Sequence, residues 1–203
     1  MWLPNATRLE DPDHGPAFSE PVVGVVVHAT DGGGARGTAE WAVKEKMTRS
    51  WHLLIERDGT TYQQVPLDHE AWHAGQSRWA DRNDVNGRTI GIELANHLLL
   101  DREGNVFYTN TGGRRGTYRG KTPEHAALHW SLDHHAEGWW EPYPPAQLWA
   151  LEAVLKQLAA LGLGTQLVGH DEIAVPIGRK LDPGPLFPWE LFKQWRPDAP
   201  RYR

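Results

Sequence analysis

The sequence predicts a single α/β domain, and three stretches predict it. Val22 to Val27 (VVGVVV) is a continuous β-branched run, the pattern of a strand covered on both faces. Trp51 to Glu56 and Thr60 to Val65, joined by Arg57-Asp58-Gly59, read as a β-hairpin because Asp-Gly supplies the tight turn. Ala146 to Leu161 repeats Leu148, Leu151, Leu155 and Leu158 at helical spacing. With 203 residues, no internal repeat and no dividing linker, residues 1–203 are expected to share one core.

Taken in order, Met1 to Pro21 is polar and broken by prolines, which predicts an arm packed on the surface. The VVGVVV strand ends at His28-Ala29-Thr30 and a glycine-rich turn, Asp31 to Gly34. Thr38 is the expected cap of a helix over 39–48, with Trp41 and Met47 facing inward. After the hairpin, Glu70 to Trp79 is an aromatic and histidine-rich loop, and Asp81 to Arg88 a polar turn. Thr89 to Ala95 alternates as a strand, with Ile90, Ile92 and Leu94 on one face and Gly91 and Glu93 on the other. Asp101 to Lys121, carrying Arg114, Arg115, Arg119 and Lys121, predicts a mobile polar flap, and Thr122 to Ala136 a helix. Residues 97–143 are thus an expected insertion. Gln166 to Val168 forms a last short strand, followed by a loop and a short helix over 187–195.

Composition removes several function classes. The chain has no cysteine, so thiolate ligands, disulfides and a cysteine nucleophile are excluded. A formal net charge of −5 argues against nucleic acid as a partner. No apolar run approaches the ~20 residues that a membrane helix needs, so no membrane partner is expected. The first residues lack a basic start and an apolar stretch, which predicts synthesis in the cytoplasm without a signal peptide. The chain is expected to act as a monomer.

Eleven histidines are available for chemistry. His170 follows the QLV strand, and Asp182 sits in Asp182-Pro183-Gly184-Pro185, where the prolines stiffen the backbone. An imidazole and a carboxylate on stiff backbone suit two ligands of a catalytic zinc, which keeps one position open for water. His28 ends its own strand in the same way. If the two strands are neighbours, His28, His170 and Asp182 meet at one rim of the sheet. The alternative for each histidine alone is a satisfied polar cap. His125 and His129 stand four apart in the expected helix, but HAALH lacks the HExxH glutamate, so this pair reads as surface or structural.

The motifs VVVHAT, SWHLLIERDG, AWHAGQS, TIGIELAN and VGHDEIAVPIGRKLDPGPLFPW occur here in one order. In that order the chain resembles the zinc-dependent N-acetylmuramoyl-L-alanine amidases of type 2. That group includes phage endolysins, bacterial anhydromuropeptide amidases and peptidoglycan recognition proteins. The resemblance covers 22–96 and 144–192, and AWHAG and RKxDPGPxF resemble the anhydromuropeptide branch most. It implies a mixed central sheet flanked by helices, zinc held by His28, His170 and Asp182, and hydrolysis of the lactyl–L-alanine amide of peptidoglycan or muropeptides.

Beside that resemblance, Glu93 is a candidate proton shuttle and Lys180, two residues before Asp182, a candidate oxyanion donor. A solvated carboxylate and a surface ion pair are the plainer alternatives. Trp72, His73 and Asn96 are candidates for the substrate groove, through indole stacking and polar bonds to a sugar. Some members of the family place a tyrosine before the histidine of the hairpin motif, where this chain has Trp51. The length of 97–143 favours a phage-type endolysin acting on the cell wall. The alternatives are a cytosolic recycling amidase and a muropeptide-binding module without catalysis.

Overall fold

The computed structural model describes every residue except 46–47, 81, 132–133, 165 and 197–203. Among the described residues, eleven strands and three α-helices form two sheets with helices packed on the larger one. In chain order they are β1 (Thr7–Arg8), β2 (Gly24–Ala29), α1 (Ala35–Lys44), β3 (Leu53–Ile55), β4 (Thr61–Gln63), β5 (Thr89–Leu94), β6 (Leu99–Glu103), β7 (Val106–Thr111), β8 (Arg114–Thr117), β9 (Glu124–Ser131), β10 (His134–Trp140), α2 (Pro145–Ala160), β11 (Gln166–Gly169) and α3 (His170–Ile173). A 3-10 turn over Trp189–Trp195 lies where the last short helix is expected.

The larger sheet has the order β1-β4-β3-β5-β2-β11. β2 runs parallel to both β5 and β11, while β3 is antiparallel to β4, so the sheet is mixed as expected. The β-branched β2 is buried along its whole length because both its faces are covered. One face carries Val25, Val27, Ile90, Ile92, Leu94 and Leu167 against Leu151, Val154, Leu155 and Leu158 of α2. Full burial of each such side chain contributes roughly 1.5–3 kcal/mol.

The other face carries His28, Glu93 and His170, and it is glycine-bearing for a steric reason. A Cβ on Gly24 would collide with the Trp79 ring, and one on Gly91 would lie 2.5 Å from His73 Cγ. The loop around 72–80 therefore lies flat on the strands and covers that half of the face.

Several local expectations are corrected. The first helix starts four residues earlier than predicted, with Gly34 rather than Thr38 at its cap. It turns Ala35, Ala39 and Ala42 to the sheet and leaves Trp41 48% exposed, because only small side chains fit so close an approach. Met47 lies outside the described residues. The N-terminal arm is no mere surface strap: β1 extends the sheet in parallel with β4, and Leu3 is buried with its N–H donated to Gln63 Oε1 at 2.7 Å.

The helix predicted over 122–136 is instead the hairpin of β9 and β10, and the predicted flap over 101–121 is β6, β7 and β8. Together they form an antiparallel sheet of order β8-β7-β6-β10-β9. The deciding pattern has a period of two: Ala126, Leu128, Ala136 and Trp140 pack on Ala29 and Leu98, while His125, His129, His135 and Glu137 are exposed. Arg115 pairs with Glu103 (2.6 Å) and lies over the face of Tyr108, within this sheet.

His52, beside the hairpin, is fully buried and neutral by construction. Its Nε2–H donates to the His69 carbonyl (2.9 Å), and its Nδ1 accepts the Gly91 N–H (2.9 Å). Burial lowers its pKa to about 4, from an ordinary value near 6.5. Because the folded value is depressed, the stability it gives is complete above pH ~6.5 and is lost as pH falls towards ~4. At about 1.4 kcal/mol per unit, the stability gap between wild type and His52→Asn should narrow by about 3 kcal/mol over that window. Urea melts of the metal-free proteins measure it, and a gap independent of pH would refute the assignment.

Candidate metal centre

β2 and β11 are adjacent and parallel, with Val27 opposite Gly169, so the residues that follow bring both imidazoles to one rim. His28 is the fifth residue of β2, and His170 opens α3 directly after β11. Asp182 reaches the same point from the proline-stiffened loop, whose backbone is pinned by the Asp171 N–H on the Asp182 carbonyl (2.8 Å). His28 Nδ1 lies 2.9 Å from His170 Nδ1, and Asp182 Oδ2 lies 2.9 Å from His170 Nδ1 and 3.3 Å from His28 Nδ1. All three side chains are buried.

Three electron-pair donors at such distances need a cation among them. A proton on His170 Nδ1 is one answer, and it can point along only one edge of the triangle at a time. A tetrahedral zinc with bonds of ~2.0–2.1 Å spans ligand edges of ~3.3 Å, close to the edges found. The outer nitrogens agree with a metal: His170 Nε2–H donates to the Ala74 carbonyl (3.1 Å), leaving Nδ1 bare, and His28 Nε2 meets His73 Nδ1 (3.0 Å). Burial and the neighbouring His170 lower the His28 pKa to about 4, so His28 is neutral near pH 7. Burial raises the Asp182 carboxyl, but His170 and His28 override it and hold the group well below the usual carboxylate range. These are the protonation states that ligands require. Among the described residues, this is the one cluster of such groups with converging donor atoms.

A family model of N-acetylmuramoyl-L-alanine amidase matches residues 18–185. The chain belongs to the N-acetylmuramoyl-L-alanine amidase family. The 1,6-anhydro-N-acetylmuramyl-L-alanine amidase AmpD of Salmonella typhimurium is 34% identical over 146 residues, 71% of this chain and 55% of the relative. The chain thus spans about half the length of the curated relatives it matches. A crystal structure of AmpD superposes with a TM-score of 0.61 at 27% identity, covering 96% of each chain. The Escherichia coli amidase AmiD, in complex with anhydro-N-acetylmuramic acid-L-Ala-D-gamma-Glu-L-Lys, superposes with a TM-score of 0.59 at 26% identity, covering 86% of this chain and 57% of that one.

Within this amidase fold, Glu93 stands directly opposite His28 in the β2–β5 register, on the same face. It is buried, and burial followed by the charge of Asp182 raises its carboxyl well above the ordinary range. Lys180 and a hydrogen bond from the Trp51 side chain act the other way. The indole thus supplies a donor at the position where some family members carry tyrosine. Lys180 is half-buried, near enough for its ammonium to favour ionised Asp31 and Glu93.

The three groove candidates are placed differently from expectation. His73 is buried under the metal cluster with both ring nitrogens engaged, by His28 and by Thr89 Oγ1 (3.3 Å). Asn96 is buried too. Its Nδ2 donates to the Glu141 carbonyl (3.2 Å) and its Oδ1 accepts the Leu98 N–H (2.7 Å), so its amide anchors the exit to the second sheet. Trp72 is half-buried, paired through its backbone with Ser50 and with its ring close to Gly15 of the arm. His125 and His129 lie on β9, exposed, and belong to no set of three converging donors among the described residues.

Sequence reasoning missed Thr89, Asn86 and the Ala74 carbonyl. A usable signal was Gly91: a glycine inside a strand marks a close approach by another part of the chain. Its visitor is His73.

Proposed function

We propose that this chain hydrolyses the amide between N-acetylmuramic acid and L-alanine in soluble muropeptides, as an anhydromuropeptide amidase of the recycling type. The observation that carries the reading is the His28–His170–Asp182 triangle with a buried Glu93 in register beside it. The AmiD complex supports the substrate class, since its ligand is an anhydromuramyl peptide. The AmpD relatives of Salmonella typhimurium and Escherichia coli, which share a third of the aligned sequence, are named for the anhydro substrate. They shift the reading away from the phage-type endolysin, which rested on the length of 97–143 alone.

His28, His170 and Asp182 would hold zinc. When bound, zinc supplies Lewis acidity, polarising a carbonyl and lowering the pKa of a water. Glu93 takes the proton of the attacking water and returns it to the departing L-alanine nitrogen, as a buried carboxyl in register with His28 is placed to do. Lys180 offers its ammonium to the carbonyl oxygen as negative charge grows there.

The test compares anhydromuramyl-tripeptide with intact sacculi, following new L-alanine amino termini with zinc supplied. Rapid release from the soluble substrate and slow release from sacculi is expected. Clearing of sacculi at equal rate would restore the endolysin reading. Binding with no release at any pH from 5 to 9 would leave a muropeptide-binding module. Elemental analysis of wild type and His170→Ala checks the metal separately, and full zinc in the variant would overturn the ligand set.

A further inference from the structure

We propose that His73 is a positioning residue that fixes His28 in its metal-binding tautomer through a hydrogen-bond relay ending on the Val85 carbonyl. The inference rests on the metal set of the amidase reading and concerns what lies behind it.

The relay has one possible direction. The Val85 carbonyl can only accept, so the Thr89 hydroxyl must give its hydrogen there, at 2.6 Å. The remaining lone pairs of Thr89 Oγ1 then receive the Nε2–H of His73 at 3.3 Å. A neutral His73 with its hydrogen on Nε2 has a bare Nδ1, and that atom faces His28 Nε2 at 3.0 Å. His28 must therefore carry its hydrogen on Nε2 and present a bare Nδ1 towards His170 and Asp182. The hydrogen positions of three groups follow from one carbonyl.

The mounting of His73 is equally specific. Asn86 Oδ1 accepts the backbone N–H of both His73 (3.2 Å) and Ala74 (2.9 Å), which locks that pair of residues. Gly91 provides the floor, since a Cβ there would fall 2.5 Å from His73 Cγ. The neighbour of His73 serves the second imidazole, because the Ala74 carbonyl takes the Nε2–H of His170 at 3.1 Å. One short segment thus orients both histidines, one through a carbonyl and one through a side chain. His73 is 6% exposed and lies behind His28, which leaves it no route to substrate.

The experiment measures Zn²⁺ affinity by chelator competition for wild type, His73→Leu, His73→Asn and Thr89→Val, with metal-free melting temperatures alongside. Removing an outer partner of a metal-bound histidine typically weakens metal binding about 10–100-fold, and that loss is expected for His73→Leu. Asparagine places a carbonyl oxygen about where Nδ1 sits, so His73→Asn should recover most of the affinity. Thr89→Val keeps the shape and removes the hydroxyl, and should weaken zinc by a smaller factor. Unchanged affinity in a folded His73→Leu protein would overturn the proposal. So would equal losses in the leucine and asparagine variants, which would indicate packing alone. If His73→Leu does not fold, Thr89→Val against Thr89→Ser decides, with the serine protein expected to bind as wild type and equality of the two refuting the relay. A wild-type protein that takes up no zinc would instead refute the metal reading itself.

Discussion

Glu93→Gln is expected to keep its zinc and its fold and to release L-alanine amino termini about 10²–10⁴-fold more slowly than wild type, the usual loss on removing a general acid–base group. The amide fills the same space opposite His28 but cannot take a proton from water or return one to nitrogen. Glu93 is not among the three converging donors, so metal content should not change. The raised pKa in wild type follows from burial and from Asp182. Single-turnover rates on anhydromuramyl-tripeptide, with zinc measured on the same samples, give both quantities. A rate within tenfold of wild type would remove Glu93 from the chemistry.

Arg57→Leu should cost about 3 kcal/mol of stability, at the low end of what breaking a buried ion pair does. Arg57 clasps Glu141 with two bonds, 2.7 and 2.8 Å, and donates a third to the Gly33 carbonyl at 3.1 Å. Glu141 is 3% exposed and is also the acceptor for the His97 N–H. Without the guanidinium it remains a buried charge with one backbone donor. Arg57 is 29% exposed, which is why the low end applies. Replacing both partners, as Arg57→Leu with Glu141→Leu, should regain most of the loss, because no charge is then stranded. Urea denaturation of the three proteins tests this, and a single-variant loss under about 1 kcal/mol would show that the clasp is solvated.

The convergence of His28, His170 and Asp182 was legible in the sequence because its signal is local. His28 and His170 each follow a short β-branched or apolar strand, and Asp182 is fixed by its own prolines, so only the adjacency of β2 and β11 had to be assumed. Glu93 was legible through the alternation of β5. The burial of His73 was not legible, because the strand glycine that makes room for its ring, Gly91, is 18 positions away. The second sheet was missed for a different reason. Alanine, leucine and glutamate in 124–136 favour a helix locally, and the pairing of Leu99 and Leu100 with Trp140 and Trp139 overrides that preference from outside the segment.

Leu98 and Glu141 are joined by a backbone bond of 3.0 Å, from the Glu141 N–H to the Leu98 carbonyl. Everything between them leaves and returns through this one doorway, and β6 and β10 are partners from their first residues inside it. The second sheet is therefore an annex with a single backbone threshold to the rooms behind, and its Ala126, Leu128 and Ala136 pack in one cluster with Ala29 and Leu98. The metal rim and Glu93 belong to those rooms. The length of 97–143 is spent on this annex, while His28, His170, Asp182 and Glu93 all lie outside it.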